Sequence, residues 1–346
     1  MPLAHRRHLL RLASATVLAG LGSHGWAQDK PEKSRLTMAV GGKAGFYYLP
    51  LTIAEQLGYF KSEGLELDIR DFDGGSQALK AATSGAADVV SGAYEHTIGL
   101  QARGLAYQAF VLQGRAPQIA MGVSPKTLPH YRQLSDLKGR RIGVSAPGSS
   151  TNMVANLVLA RAGIRPHEVQ FVGVGTSAGA LKAFRMGEID ALSNIDPVMT
   201  VLEKSGEIRI VSDTRTLKGT KDVFGGPMPA ACLYAPQAFI ERHPATCQAL
   251  ANGVVHALKW LQTAGPSDII KAVPESYMLG DRGLYLAAFS KVRDALAVDG
   301  LMPEAGPPTA LRSLALVDEL VRADRIDLAR TYTNTFAQRA KLKFRA

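Results

Sequence analysis

The chain of 346 residues carries 40 Lys and Arg against 30 Asp and Glu, a formal net charge of +10, with 46% hydrophobic and 20% charged residues. That length exceeds what one hydrophobic core organises, so two lobes are expected. The basic excess is spread thinly, without a block of consecutive Lys and Arg, and reads as a solvated surface rather than the stripe that grips nucleic acid.

Residues 1–27 hold Arg6, Arg7 and Arg11 but no acid, then an apolar run from Leu12 to Gly22, then Gly25-Trp26-Ala27 with small residues where a signal peptidase cuts. This is the pattern of a secretory signal removed after Ala27. The run is too short for a permanent membrane span. Arg6-Arg7-His8-Leu9-Leu10-Arg11 fits a twin-arginine export signal, and a charged Sec signal fits as well. No Cys lies near the cut, which argues against a lipid anchor. Removal takes away three Arg and no acid, so the charge falls from +10 to +7. The expectation is export to the periplasm.

After a polar tail over 28–34, a strand is predicted over 35–40, a loop over 41–48 and a helix over 49–57. Residues 65–72 alternate apolar and polar as a half-buried strand does. Gly74-Gly75-Ser76 opens a helix, 87–90 is a strand, 97–103 a helix and 107–112 a strand. The order then restarts with strand 141–145, loop 146–150, helix 151–162, strand 169–172, a helix after the loop 173–177, and strand 189–192. Strand and helix in turn imply βαβ units and a mostly parallel sheet. One more strand, 230–235, precedes helices over 244–263, 267–273, 282–298 and 309–323, which cap the first lobe. Crossings fall near 119–124 and 228–234. The expected division is lobe 1 over 35–122, lobe 2 over 123–229, and a return to lobe 1 over 230–346.

Two segments share a pattern. At a constant offset of 102, Ala78, Leu79, Lys80, Ala81, Gly85, Asp88 and Ser91 recur as Ala180, Leu181, Lys182, Ala183, Gly187, Asp190 and Ser193. Locally each reads as a helix end, with Gly in the left-handed cap before a strand. Their common station in two βαβ series points to two lobes of similar wiring. Asp88 and Asp190, at strand starts, are expected to bind local backbone. Only Cys232 and Cys247 occur, neither with a metal-ligand partner in spacing; a disulfide and two buried thiols are both open.

The run from Leu49 to Leu65 (LPLTIAEQLGYFKSEGL), followed by the Ala-Leu…Gly…Asp patterns and by Asp136-Leu137-Lys138-Gly139, resembles the nitrate/sulfonate/taurine-type solute-binding proteins of ABC importers, a group that includes binders of thiamine-pyrimidine precursors. The resemblance covers about 35–265. It implies an α/β type 2 periplasmic-binding-protein fold, two lobes around a ligand cleft, serving a membrane permease and working as a monomer. The solute it implies is small and organic, with sulfonate- or taurine-like anions ahead of thiamine-precursor pyrimidines. An enzyme on the same fold is the alternative, but no nucleophile elbow, iron-binding Cys cluster or cofactor-binding pattern is present, so no catalysis, metal or cofactor is expected. Tyr59 and Phe60 of the signature suit core packing.

Ligand contacts belong on loops at the carboxyl ends of strands, where α/β sheets open their crevice. Five loops qualify. The first brings Lys43, Phe46, Tyr47 and Tyr48; the second brings Gly75 and Ser76 at a helix start. Tyr94, Glu95 and His96 follow the third strand. Ser149, Ser150 and Thr151 suit an anion cradle or a plain helix cap. Asn194 and Asp196 end the fifth, with Thr176 and Gln113 beside. Helix starts with a cation would hold an anionic end, Glu95 and Asp196 would hold an amine or ring N–H, and Tyr47, Tyr48 and Tyr94 would cover the remainder.

Overall fold

The structure is a computed structural model that describes residues 30–346; the secretory signal expected over 1–27 lies outside the described residues. Its strands are β1 (Arg35–Gly41), β2 (Glu66–Phe72), β3 (Val89–Ala93), β4 (Tyr107–Leu112), β5 (Ile119–Val123), β6 (Arg141–Val144), β7 (Gln170–Gly173), β8 (Ala191–Ile195), β9 (Arg209–Asp213) and β10 (Ala231–Pro236). They form two five-stranded sheets, ordered β2-β1-β3-β10-β4 and β7-β6-β8-β5-β9.

Both sheets have one wiring. A central strand (β1 or β6) pairs in parallel with the next two of its series, and the fourth position holds a strand arriving from the other sheet and running antiparallel. The sheets are therefore mixed rather than mostly parallel. β5, placed by sequence at the crossing, is hydrogen-bonded throughout to β8 and β9. The passage between sheets lies over 113–118, ahead of the expected boundary at 122/123. β5 and β9, five residues each, are too short to stand out from sequence, and the helices Val198–Lys204, Leu217–Phe224 and Thr335–Phe344 carry no strong signal either.

The duplicated pattern marks one structural device used twice. Asp88 takes the backbone N–H of Thr37 in β1 at 3.0 Å, and Asp190 takes that of Arg141 in β6 at 3.0 Å. In return the N–H of Asp88 donates to Thr37 and that of Asp190 to Arg141. These are bonds to the adjacent strand, not local ones, and each ties a helix-to-strand turn to the sheet centre. A cation covers each carboxylate, Lys33 on Asp88 and Arg141 on Asp190. Gly85 (φ +80°) and Gly187 (φ +75°) occupy the left-handed region where a side chain is strained, and close the preceding helices.

From Pro31 onward the chain is one compact unit. The 20-residue helix Pro244–Thr263 packs on the signature helices Leu49–Gln56 and Tyr59–Ser62, on β4 and on Thr335–Phe344. Phe60 is buried over Gly253, where an added Cβ would come within 2.5 Å of its ring. Tyr59 stacks on His256 at 3.7 Å. Both signature aromatics thus pack the scaffold. The largest core runs through the first sheet to the inner face of the second; a smaller one around Leu181, Phe184, Met199 and Leu202 lies beyond the second sheet. Among the described residues no helix is long and apolar enough to cross a membrane.

Candidate ligand-binding site

Loops from the two sheets meet edge to edge, and glycines permit the approach. A Cβ on Gly42 would lie 2.1 Å from Thr176 Oγ1, on Gly45 2.1 Å from Ile195 Cδ1, and on Gly74 2.7 Å from the Ala146 Cβ. Hydrogen bonds cross the same seam. The Ser76 N–H donates to Ser149 Oγ (2.9 Å), Ser76 Oγ donates to the Pro147 carbonyl (2.8 Å), and the Phe46 N–H donates to the Asp196 carbonyl (3.0 Å). Within the seam lies a cavity of about 20 Å³, lined by Gly41, Tyr47, Tyr48, Gly75, Ile119, Ser145, Ser149, Ser150, Thr151, Thr176 and Ile195. That is room for about one water molecule.

Seven of the residues expected from sequence converge there: Tyr47, Tyr48, Gly75, Ser149, Ser150, Thr151 and Thr176. Two helices begin at the cavity, Gly75–Thr83 from the first lobe and Ser150–Ala160 from the second. Their first N–H groups have no intrahelical acceptor, which makes such starts attractive to anions. The hydroxyls around them are partly committed. Thr151 Oγ1 accepts the Ser145 N–H (2.9 Å) and meets Ser145 Oγ (2.8 Å), which shapes the loop 145–151.

Glu95 and His96 sit beside this cavity at the start of the helix Glu95–Ala102. Both are buried. His96 Nδ1 meets the Tyr234 hydroxyl at 3.0 Å, while its Nε2 has no partner. Burial lowers the His96 pKa to about 4, so the ring is neutral at pH 7. The Ser150 hydroxyl of the second lobe adjoins both the Glu95 carboxyl and Tyr47. Even so, Glu95 Oε1 and the Tyr47 hydroxyl find no hydrogen-bond partner. Burial raises the Glu95 pKa, with Ser150 and the residue's own backbone N–H offsetting only part. Burial and then Glu95 push up the hydroxyls of Tyr47 and Tyr48 and the Cys232 thiol. Cys232 and Cys247 are both free and buried.

The remaining expected residues face elsewhere. Lys43 is ion-paired with Glu55 and does not line the cavity. Phe46 packs on Tyr285 and Phe289. Tyr94 turns to the C-terminal segment, its hydroxyl 2.6 Å from Thr331 Oγ1. Gln113 donates to Ser91 Oγ within the first sheet. Asn194 donates to the Gly175 carbonyl and accepts the Ile195 N–H. Ser76 is spent on the bonds across the seam. Asp196 is drawn into an ionic knot in which it and Arg215 are fully buried: its Oδ1 accepts the Thr200 N–H (2.7 Å) and meets Arg215 at 3.5 Å, and Arg215 also grips the half-buried Asp213 and Glu203. The sequence does not announce this knot, because Arg215 lies 19 residues downstream in no recognisable pattern.

Four lining residues were missed: Gly41, Ile119, Ser145 and Ile195. Gly41 ends β1 and Ser145 directly follows β6, so both stand at the carboxyl ends of strands, just ahead of the residues chosen from those loops. Among the described residues no group of three or more His, Cys, Asp or Glu gathers as a metal site.

Two mixed α/β sheets, with wiring repeated around a shared cleft, define a periplasmic-binding-protein fold. Residues 45–264 match the NMT1/THI5-like family, and the chain belongs to it. The structure of a Bordetella bronchiseptica RB50 protein superposes with a TM-score of 0.91 at 56% identity, covering 92% of this chain and 100% of that one. The Escherichia coli periplasmic aliphatic sulphonate binding protein SsuA superposes with a TM-score of 0.63 at 19% identity, covering 88% of this chain and 99% of that one. The taurine-binding periplasmic protein of Escherichia coli K12 is 26% identical over 202 residues, 58% of each chain.

Proposed function

We propose that this chain is the solute-binding component of an ABC importer. On this reading it is exported by its N-terminal signal, cut after Ala27, and acts in the periplasm as a monomer that hands a small organic solute to permease subunits. It works without cofactor, nucleic acid or turnover. The observation that carries the reading is the seam, where two helix starts and a set of hydroxyls from separate lobes line one half-open cavity beside interlobe hydrogen bonds. A cavity of about 20 Å³ admits no organic solute unless the lobes part, so capture by hinged closure follows.

Sulfonates, taurine-like ones first, suit the site better than thiamine-precursor pyrimidines. Three tetrahedrally arranged oxygens can share the N–H groups at Gly75 and Ser150 with the hydroxyls of Ser149 and Thr176. The relatives that bind taurine and aliphatic sulphonates support the same order. An enzymatic reading has one observation in its favour, the nearness of Cys232, His96 and Glu95. Burial holds the thiol up in pKa, however, and a thiol rather than thiolate is a poor nucleophile.

A thermal-shift screen over alkanesulfonates, aminosulfonates, pyrimidines and nitrate tests the function, because a ligand at 100 times its Kd stabilises by about 2.7 kcal/mol. Small-angle scattering with the best hit should show a smaller radius, and the solute should be recovered chemically unchanged. No shift with any of these solutes, or consumption of the solute, would remove the reading.

A further inference from the structure

Four acids are buried among the described residues: Glu63, Glu95, Asp190 and Asp196. Three of them have a cation. Lys343 meets Glu63 at 2.7 Å, Arg141 meets Asp190 at 3.1 Å, and Arg215 meets Asp196 at 3.5 Å. Among the described residues no cation pairs with Glu95. Its surroundings are Tyr47 and Tyr48 from the turn Phe46–Tyr48, Cys232 from β10, Ser150 from the other lobe, and His96 next along its own helix. Glu95 Oε1 has no hydrogen-bond partner at all.

Ser150 and the backbone N–H of Glu95 serve only part of the carboxyl; a buried oxygen left without a hydrogen bond is costly, and folded chains retain one where something else completes it. Here the group stands at the seam, beside the helix starts at Gly75 and Ser150, which favour an anion. An acid and an anion-favouring pair of helix starts therefore lie side by side.

We propose that Glu95 selects the solute by taking its protonated amine, while the solute's anionic group lies on the helix starts at Gly75 and Ser150. This rests on the solute-binding reading above and narrows its class to small aminosulfonates, ahead of amine-free sulfonates and inorganic anions. A competing chemistry has the same residue neutral, donating its proton to a sulfonate oxygen. The two differ in the sign of their pH dependence.

Calorimetry on the exported chain, with taurine, ethanesulfonate and ethylamine as probes, separates these possibilities. Taurine should bind about 10- to 100-fold more tightly than ethanesulfonate, the range for a hydrogen bond to a charged group. The Glu95→Gln variant, isosteric and uncharged, should bring the two within about threefold of each other. The Glu95→Asp variant keeps the charge one methylene further back and should weaken taurine yet keep the preference. Taurine affinity should fall as pH falls, with protons released on binding. Equal binding of the two sulfonates, or a preference that survives Glu95→Gln, overturns the proposal; so does ethanesulfonate binding that strengthens at low pH and is lost in Glu95→Gln. If neither sulfonate binds, the sulfonate class fails. Ethylamine binding lost in Glu95→Gln would then still support the amine contact, and its absence from the wild type would sink that contact too.

Discussion

Gly74→Ala separates closure from folding. The residue is extended (φ −161°, ψ 164°), a conformation that alanine adopts without strain. Its added Cβ would meet the Ala146 Cβ at 2.7 Å, the Ala146 N at 3.0 Å and Ser149 Oγ at 3.0 Å. Carbon atoms rest at about 3.5–4.0 Å, so the overlap is close to 1 Å. All three neighbours belong to the second lobe, and two are backbone or Cβ atoms that no rotamer change moves. In a single core such overpacking costs about 1–3 kcal/mol. Here separating the lobes relieves it and leaves both sheets intact, so the penalty falls on the closed state. A ligand that binds only when the lobes close then loses about 5- to 150-fold in affinity.

The assay is calorimetric titration with the best solute from the screen, alongside melting of the unliganded chain. A control is Gly85→Ala, where φ is +80° and nothing lies within 4 Å; it should lower the melting temperature through backbone strain and leave affinity unchanged. Gly74→Ala should do the reverse. Wild-type affinity in Gly74→Ala, or an affinity loss matched by an equal loss of unliganded stability, would refute closure at this seam.

Other outcomes follow from buried polar groups. His96 has a folded pKa of about 4 against an ordinary 6.5, so the unfolded chain binds more protons between those values; its contribution is complete above pH 6.5 and falls away by about 3 kcal/mol as pH drops to 4. Urea melts of wild type and His96→Gln at pH 7 and pH 4.5 should show a flatter dependence in the variant, and parallel curves would contradict it. Arg215→Met strips the shared cation from Asp196, Asp213 and Glu203 and should cost about 3–5 kcal/mol in denaturant unfolding; a loss under 1 kcal/mol would show that Lys291 suffices. Asp88→Ala and Asp190→Ala should each cost about 1–3 kcal/mol with solute affinity unchanged, because each leaves a strand N–H unpaired.

What could be read from sequence followed from short-range physics. β4 and the helix Pro244–Thr263 have the predicted bounds, because an apolar run between turn residues and a Pro-started, Ala-rich amphipathic stretch each specify their own structure. The repeat at Asp88 and Asp190 was legible as similar wiring, but the partner of each carboxylate lies about fifty residues away and carries no mark in the sequence. β5 failed for a related reason. Nothing local in Ile-Ala-Met-Gly-Val distinguishes a connecting segment from the fourth strand of the next sheet. At the site, loops were easier to read than side chains. The carboxyl-end rule places a loop at the crevice without saying whether its cation points inward, and Lys43 finds Glu55, twelve residues on, in the helix Leu49–Gln56.

Asp196 and Glu95 show how much that matters. Both are acids just past a strand at the crevice, and by sequence they were equals. The structure divides them through one arginine. Arg215 reaches Asp196 from the loop after β9, where its fully buried guanidinium pairs with three carboxylates although Asp196 Oδ2 stays without a hydrogen bond, and among the described residues no cation pairs with Glu95 after β3. The two strands occupy the same station in their sheets, so duplicated wiring has produced one acid neutralised for stability and one left open. Asp196→Asn should accordingly lower the melting temperature while keeping the order of solute affinities. Glu95→Gln should change that order at little cost in stability, since it removes a buried carboxylate that no ion pair offsets among the described residues. If Asp196→Asn reordered the affinities and Glu95→Gln only destabilised, the two acids would have exchanged roles, and the division of labour drawn from Arg215 would be wrong.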